Sequence, residues 1–159
     1  MGEERTQQTP VRRAGADDAP SVARLLHDFN TEYDDPTPPV EVLSPRVREL
    51  IAAGEIVVLL AGEGPDGIAQ LRFRPSVWTE ALDAYLEELY VVPALRGQGL
   101  GRALLEAAME TAVAAGATHL DLCTGETDAE ARGLYESTGF TNHEGGEDGP
   151  RMLYYERDL

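Results

Sequence analysis

Three glycines at alternate positions, Gly97, Gly99 and Gly101, lie between Arg96 and Arg102 in the stretch LEELYVVPALRGQGLGR, residues 86–102. A strand-like segment leads into them and ends at Pro93. Helical spacing follows through Leu100, Ala103, Leu104, Ala107, Ala108 and Thr111. Glycine lets the backbone approach a bound group closely and reach φ > 0. A helix start points free N–H groups and the positive end of its dipole at the same spot. Together these make an anion site, most naturally for a phosphate or pyrophosphate.

Three nucleotide-binding patterns compete for the stretch. A dinucleotide fingerprint needs a third glycine at position 102, where Arg102 stands, and it belongs after a first strand rather than in the second half of a chain. A P-loop needs Gly-Lys-Ser/Thr, which is absent. The third pattern fits. Arg96-x-x-Gly99-x-Gly101, with LEELYVVP before it and Tyr135-x-x-x-Gly139-Phe140 in GLYESTGF after it, resembles the GNAT (GCN5-related) N-acetyltransferase superfamily over about residues 10–158. The resemblance implies acetyl-CoA as the acetyl-donor cosubstrate, with no metal. The backbone of Leu89, Tyr90 and Val91 would pair with the pantetheine arm as an added strand would. The amides of Gly97, Gln98, Gly99, Leu100, Gly101 and Arg102 would hold the pyrophosphate. Arg96 and Arg102 would add charge-assisted contacts, or pack as surface arginines.

Acetyl transfer to an amine needs a base to make the amine neutral, a donor to the tetrahedral oxyanion, and an acid for the leaving thiolate. By the resemblance Tyr135 is the acid, although its spacing with Ala131, Leu134 and Thr138 also suits a core stripe. Glu87 and Glu88 are the candidate bases, with Glu87 preferred because it stands nine positions before the motif arginine, where related enzymes often carry theirs. Strand alternation puts Glu87 with Tyr85, Leu89 and Val91, and Glu88 opposite, with Leu86 and Tyr90. A bulge, common in this strand of the family, would change that facing. Asp128 stands where the family often has Asn; it suits a helix N-cap, but it puts a negative charge near the coenzyme. Cys123 reads as a buried structural cysteine, and His27, His119 and His143 are too scattered to hold a metal.

The elements that must position these groups can be read from periodicity and turn residues. Val11–Ala14 suits a first strand, and Asp17 or Asp18 caps a helix whose apolar face is Val22, Leu25, Leu26, Phe29 and Tyr33. The proline-rich segment 34–40 reads as a loop, Ser44-Pro45 as the start of a second helix, and Gly54 as its end. Strands are expected over 55–61, 69–74, 84–92 and 119–124. Thr127 and Glu130 have the form of a capping box for the helix that carries Tyr135. Two terminal strands, 140–143 and 152–157, flank an acidic Gly-rich loop. The order β-α-α-β-β-β-α-β-α-β-β gives an α/β (α+β) fold, a single mixed, mostly antiparallel twisted sheet flanked by helices. It forms one domain over residues 10–159 behind a disordered leader, 1–9. The acceptor pocket is expected from residues 29–40, 75–83 with Trp78, and 141–150, with Glu32, Asp34, Asp35 and Glu80 available to an ammonium group.

At 159 residues and 42% apolar composition the chain can bury a real core. No apolar run approaches the ~20 residues of a membrane span, and the polar start resembles no signal peptide. The formal charge of -16 disfavours nucleic acid and favours a cationic acceptor, or serves solubility alone. A single cysteine rules out an internal disulfide and points to a reducing, cytoplasmic setting. The reading is an N-acetyltransferase acting on a small-molecule primary amine in a ternary complex, possible as a homodimer. A protein N-terminal or lysine acetyltransferase and a non-catalytic acyl-CoA-binding module are the alternatives.

Overall fold

In the computed structural model, which describes residues 10–159, the strand-favouring segments pair in sequence order into one five-stranded sheet. They are β1 (Val11–Arg13), β2 (Val57–Ala61), β3 (Gly67–Pro75), β4 (Leu82–Val91) and β5 (Ala117–Leu122). The first three pairings are antiparallel and β4–β5 is parallel, so the sheet is mixed and mostly antiparallel, as expected. The helices are α1 (Ala19–Glu32), α2 (Val40–Ala52), α3 (Leu100–Ala114) and α4 (Ala129–Ser137). The contacts group into two compact units, one ending at Leu122 and the other Cys123–Leu159. The leader expected over residues 1–9 lies outside the described residues.

In the first unit the period of two along each strand sorts the sheet into two faces. Val58, Leu60, Ile68 and Tyr90 pack with Val22, Leu25 and Val47 of α1 and α2. The opposite face meets α3, whose Leu104 is fully buried and approaches β3 so closely that a Cβ on Gly67 would stand 2.8 Å from its Cδ1. Leu104→Ala would open a cavity that a packed strand cannot fill. Urea unfolding is expected to show a loss of about 2–5 kcal/mol.

Several local expectations change. The second helix begins at Val40 rather than at Ser44, because Pro39 accepts the N–H groups of Val42 and Leu43 and closes the first turn. Pro45 therefore lies inside α2, where it forgoes one helical hydrogen bond. Asp18 stands at the N-cap of α1, but its carboxylate takes the Gly15 N–H and the Arg12 guanidinium instead. Gly54 ends α2 as expected, at φ 72°.

The second unit is built on α4. Its N-cap is Asp128, whose Oδ1 accepts the Ala131 N–H at 3.0 Å, so the cap falls one residue after Thr127. The two expected terminal strands are not formed. In their place His143 forms an isolated bridge with Arg151 and the Met152 N–H donates to the Asn142 carbonyl at 2.7 Å, around a turn in which Gly145 and Gly146 take positive φ. Cys123, expected to be buried, is exposed.

Candidate functional site

The glycine turn has the backbone that its sequence calls for. A 3-10 turn, Pro93–Leu95, leads from β4 into Gly97 at φ 75° and Gly99 at φ 88°. Gly99 is the N-cap of α3 and has no side chain with which to cap the first turn. A Cβ at Gly97 or Gly99 would meet nothing within 4 Å. Glycine is needed at both for its left-handed conformation and not for space. Gly99→Ala should cost roughly 1–2 kcal/mol of stability for that reason, read by urea unfolding. Gln98 and Arg102 are exposed beside the turn.

β4 adds a second feature. β5 pairs with it only from Leu82 to Leu86, whereas β3 follows it to Val91. Beyond Leu86 the edge of β4 that faced β5 has no strand partner among the described residues. The backbone of Leu89, Tyr90 and Val91 thus borders a slot that can accept an extended, hydrogen-bonding chain.

The strand also carries a bulge. Gln70 pairs with Glu88 and Leu71 with Leu86, which leaves Glu87 as an extra residue. Strict alternation would send Glu87 to the face opposite Glu88. The bulge instead brings both carboxylates into one pocket of about 180 Å³, together with Leu26, Asn30, Thr37, Pro38, Leu43, Gln70 and Arg72. Within it the two glutamates differ. Glu87 accepts hydrogen bonds from Arg72 Nε at 2.7 Å and from Gln70 Nε2 at 2.5 Å, which fix its position. Glu88 is pushed up to about 7 by burial, then by the charges of Glu87 and Asp35.

Of the acidic loop residues expected to meet an acceptor, Asp35 acts on this pocket through its charge, and Glu32 is used elsewhere. Glu32 forms a two-pronged pair with Arg96, Nη1 to Oε1 and Nη2 to Oε2, both at 2.6 Å. Arg96 Nε also donates to the Val91 carbonyl at 2.9 Å, and the guanidinium lies 5.5 Å over the Tyr90 ring. The motif arginine is thus held by protein groups on three sides. Trp78 is 89% exposed and takes no part in lining the pocket. Gln70 and Arg72 were visible in the sequence only as the polar positions of an alternating strand. Their pairing with Glu87, itself already a candidate base, followed only from the fold.

In the second unit the spacing Tyr135-x-x-x-Gly139-Phe140 has a local cause. Gly139 at φ 95° follows the C-cap Thr138 and donates to the Glu136 carbonyl at 3.3 Å; Phe140 donates to the Tyr135 carbonyl at 3.1 Å. This is a Schellman ending, and it draws the Phe140 ring edge-on to Tyr135 with centroids 5.9 Å apart. The glycine and phenylalanine therefore seat the tyrosine ring. The Tyr135 phenol is pushed up to about 12 by burial, then by the Asp128 charge, so it keeps its proton at neutral pH. Among the described residues no group of three or more His, Cys, Asp or Glu could hold a metal, and no helix is long and apolar enough to cross a membrane.

The helix start at Gly99, the part of the β4 edge that runs beyond β5 and the pocket of carboxylates lie on a chain that matches a known family. The model of the acetyltransferase (GNAT) family matches residues 21–140, and the chain belongs to that family. The structure of a proposed acetyltransferase from Arthrobacter sp. FB24 superposes with a TM-score of 0.89 at 45% identity, covering 99% of this chain and 100% of that one. Aminoglycoside N(6')-acetyltransferase type 1 of Stenotrophomonas maltophilia is 29% identical over 94% of this chain and 93% of its own length. A stretch of 69 residues, 42% of this chain, is 41% identical to mycothiol acetyltransferase of Beutenbergia cavernae, of which it covers 23%.

Proposed function

We propose that the chain is a cytoplasmic enzyme that transfers the acetyl group of acetyl-CoA to a primary amine on a small molecule, by direct attack in a ternary complex. The observation that carries this reading is the β4 bulge, which puts Glu88, pushed up to about 7, beside the hydrogen-bonded Glu87 in one pocket. Two carboxylates attract an ammonium group, and a carboxyl with a pKa near working pH can remove its proton. The pocket is smaller than the roughly 300–1,000 Å³ of drug-sized sites, which suits the amine-bearing end of an acceptor. Small amines are also named for two relatives, in aminoglycoside and mycothiol acetyltransferases.

Residues of this chain fit the coenzyme. Gly97–Arg102 offer N–H groups and a helix start to its pyrophosphate, and the open edge at Leu89–Val91 offers backbone partners to its pantetheine arm. Backbone recognition suits a protein of net charge -16, because it needs few basic side chains. In the reaction the amine nitrogen bonds to the acetyl carbon and the carbon–sulfur bond breaks. Glu88 takes the proton that the nitrogen sheds, and Tyr135 gives one to the departing sulfur. Glu87, pinned by Arg72 and Gln70, holds a second carboxylate beside Glu88. The family match over 21–140 crosses the boundary at Leu122, which supports treating residues 10–159 as one functional domain.

The test is release of free thiol from acetyl-CoA with a panel of polyamines, aminoglycosides, amino acids and short peptides. Release with a small amine, lost in Glu88→Gln, supports the reading. Release with peptides alone would assign a protein acetyltransferase. Tight coenzyme binding without release from any member would assign a binding module.

A further inference from the structure

The C-terminal turn of α1 reaches three places at once. Asn30 lines the carboxylate pocket. Glu32 holds Arg96, the residue that opens the glycine turn, and shares the space over Tyr90, whose ring stacks on Phe29 with centroids 5.1 Å apart. The turn then ends in a Schellman arrangement built on Asp34 instead of glycine, at φ 56°. Asp34 donates to the Thr31 carbonyl and Asp35 to the Asn30 carbonyl, which folds Asp35 back to where its charge acts on Glu88. The Glu32–Arg96 pair joins residues 64 apart in sequence, and both side chains are about 70% shielded from solvent, at 28% and 30% exposed.

We infer that Glu32 is a positioning residue that couples the coenzyme turn to the acceptor pocket: through Arg96, a group bound at Gly97–Arg102 steadies the end of α1 and, with it, Asn30 and Asp35. The inference rests on the reading that Gly97–Arg102 hold the coenzyme. Arg96 sits at the junction because its Nε is tied to Val91 of β4 while its two Nη atoms are tied to Glu32. An anion arriving at the turn restricts Arg96, and the two-pronged geometry passes that restriction to the helix end. Asp34 makes the link responsive, since a non-glycine residue in the left-handed region is held there only by its surroundings.

The experiment is amide hydrogen exchange at Tyr33, Asp34 and Asp35, with and without coenzyme A. Coenzyme A binding is measured by calorimetry on the same samples, and the wild type is compared with Glu32→Gln. In the wild type, saturating coenzyme A is expected to slow exchange at these amides about tenfold, within the range usual for coupled sites. In Glu32→Gln, at saturation fixed by its own calorimetry, the slowing should fall below about twofold. A steady-state comparison should show the acceptor KM rising more than kcat falls. Coenzyme A that binds without slowing exchange in the wild type, or slows it equally in Glu32→Gln, overturns the coupling and leaves the proposed function standing. Coenzyme A that does not bind at all overturns both.

Discussion

Glu88→Gln is expected to lower kcat/KM for acetyl transfer by roughly 10²–10⁴-fold, the range for loss of a positioned general base. Glutamine keeps the shape and removes the proton acceptor, so the loss should appear with every acceptor that the wild type accepts. The pH profile gives a sharper reading. Burial, Glu87 and Asp35 push the Glu88 carboxyl up to about 7, so wild-type kcat/KM should rise as pH climbs to about 7. That limb should vanish in the variant, leaving only the slope from the amine's own ionisation at higher pH. Stability makes an independent check. The folded carboxyl holds its proton to higher pH than the unfolded one. Its contribution is therefore fully present below the ordinary glutamate pKa of about 4.5 and lost as pH rises through about 7. Thermal unfolding at pH 8 should thus show Glu88→Gln melting above the wild type, with the gap narrowing towards pH 5. A variant that melts lower at pH 8 and keeps the limb near 7 would remove Glu88 from the mechanism.

Tyr135→Phe is expected to lower kcat by roughly 10²-fold or more, measured at acetyl-CoA concentrations that calorimetry shows to be saturating. Phenylalanine keeps the edge-on contact with Phe140 and the Schellman ending at Gly139, because neither uses the hydroxyl. The melting temperature should therefore stay within a degree or two while turnover falls. The phenol is pushed to about 12 by burial and Asp128, so it stays protonated throughout the assay range and adds no alkaline limb below about pH 10. An unchanged kcat would leave Tyr135 as the ring that ends α4 and nothing more.

Much of this site depends on neighbours along the chain, and that much was legible in the residues. Gly97 and Gly99 take positive φ ahead of α3 because their own backbone allows it, and Gly54 and Gly116 end helices for the same reason. The Tyr135–Phe140 spacing encodes a helix ending through carbonyls only three and five residues away. The mixed sheet and the family resemblance follow from such local signals taken in order, and the family match over 21–140 agrees with them. Local reading failed where a cap had competitors. Pro39 starts α2 ahead of Ser44-Pro45, and of the two caps read for α4 the structure uses Asp128 and not Thr127.

Packing between distant segments decided the rest. Alternation separates Glu87 from Glu88, and only the pairing of β4 with β3 adds the extra residue that brings them into one pocket. Gln70 and Arg72, 17 and 15 residues before Glu87, then hold that carboxylate in place, while burial, Glu87 and Asp35 push Glu88 up to about 7. Arg96, read from its motif as a phosphate contact, is held by Glu32 from 64 residues away. A turn or cap is set by backbone angles that a few adjacent residues control, so sequence determines it. The charge state of a carboxylate and the partner of an arginine depend on burial and on which distant groups the fold brings within a few ångströms, so only the tertiary structure could decide them.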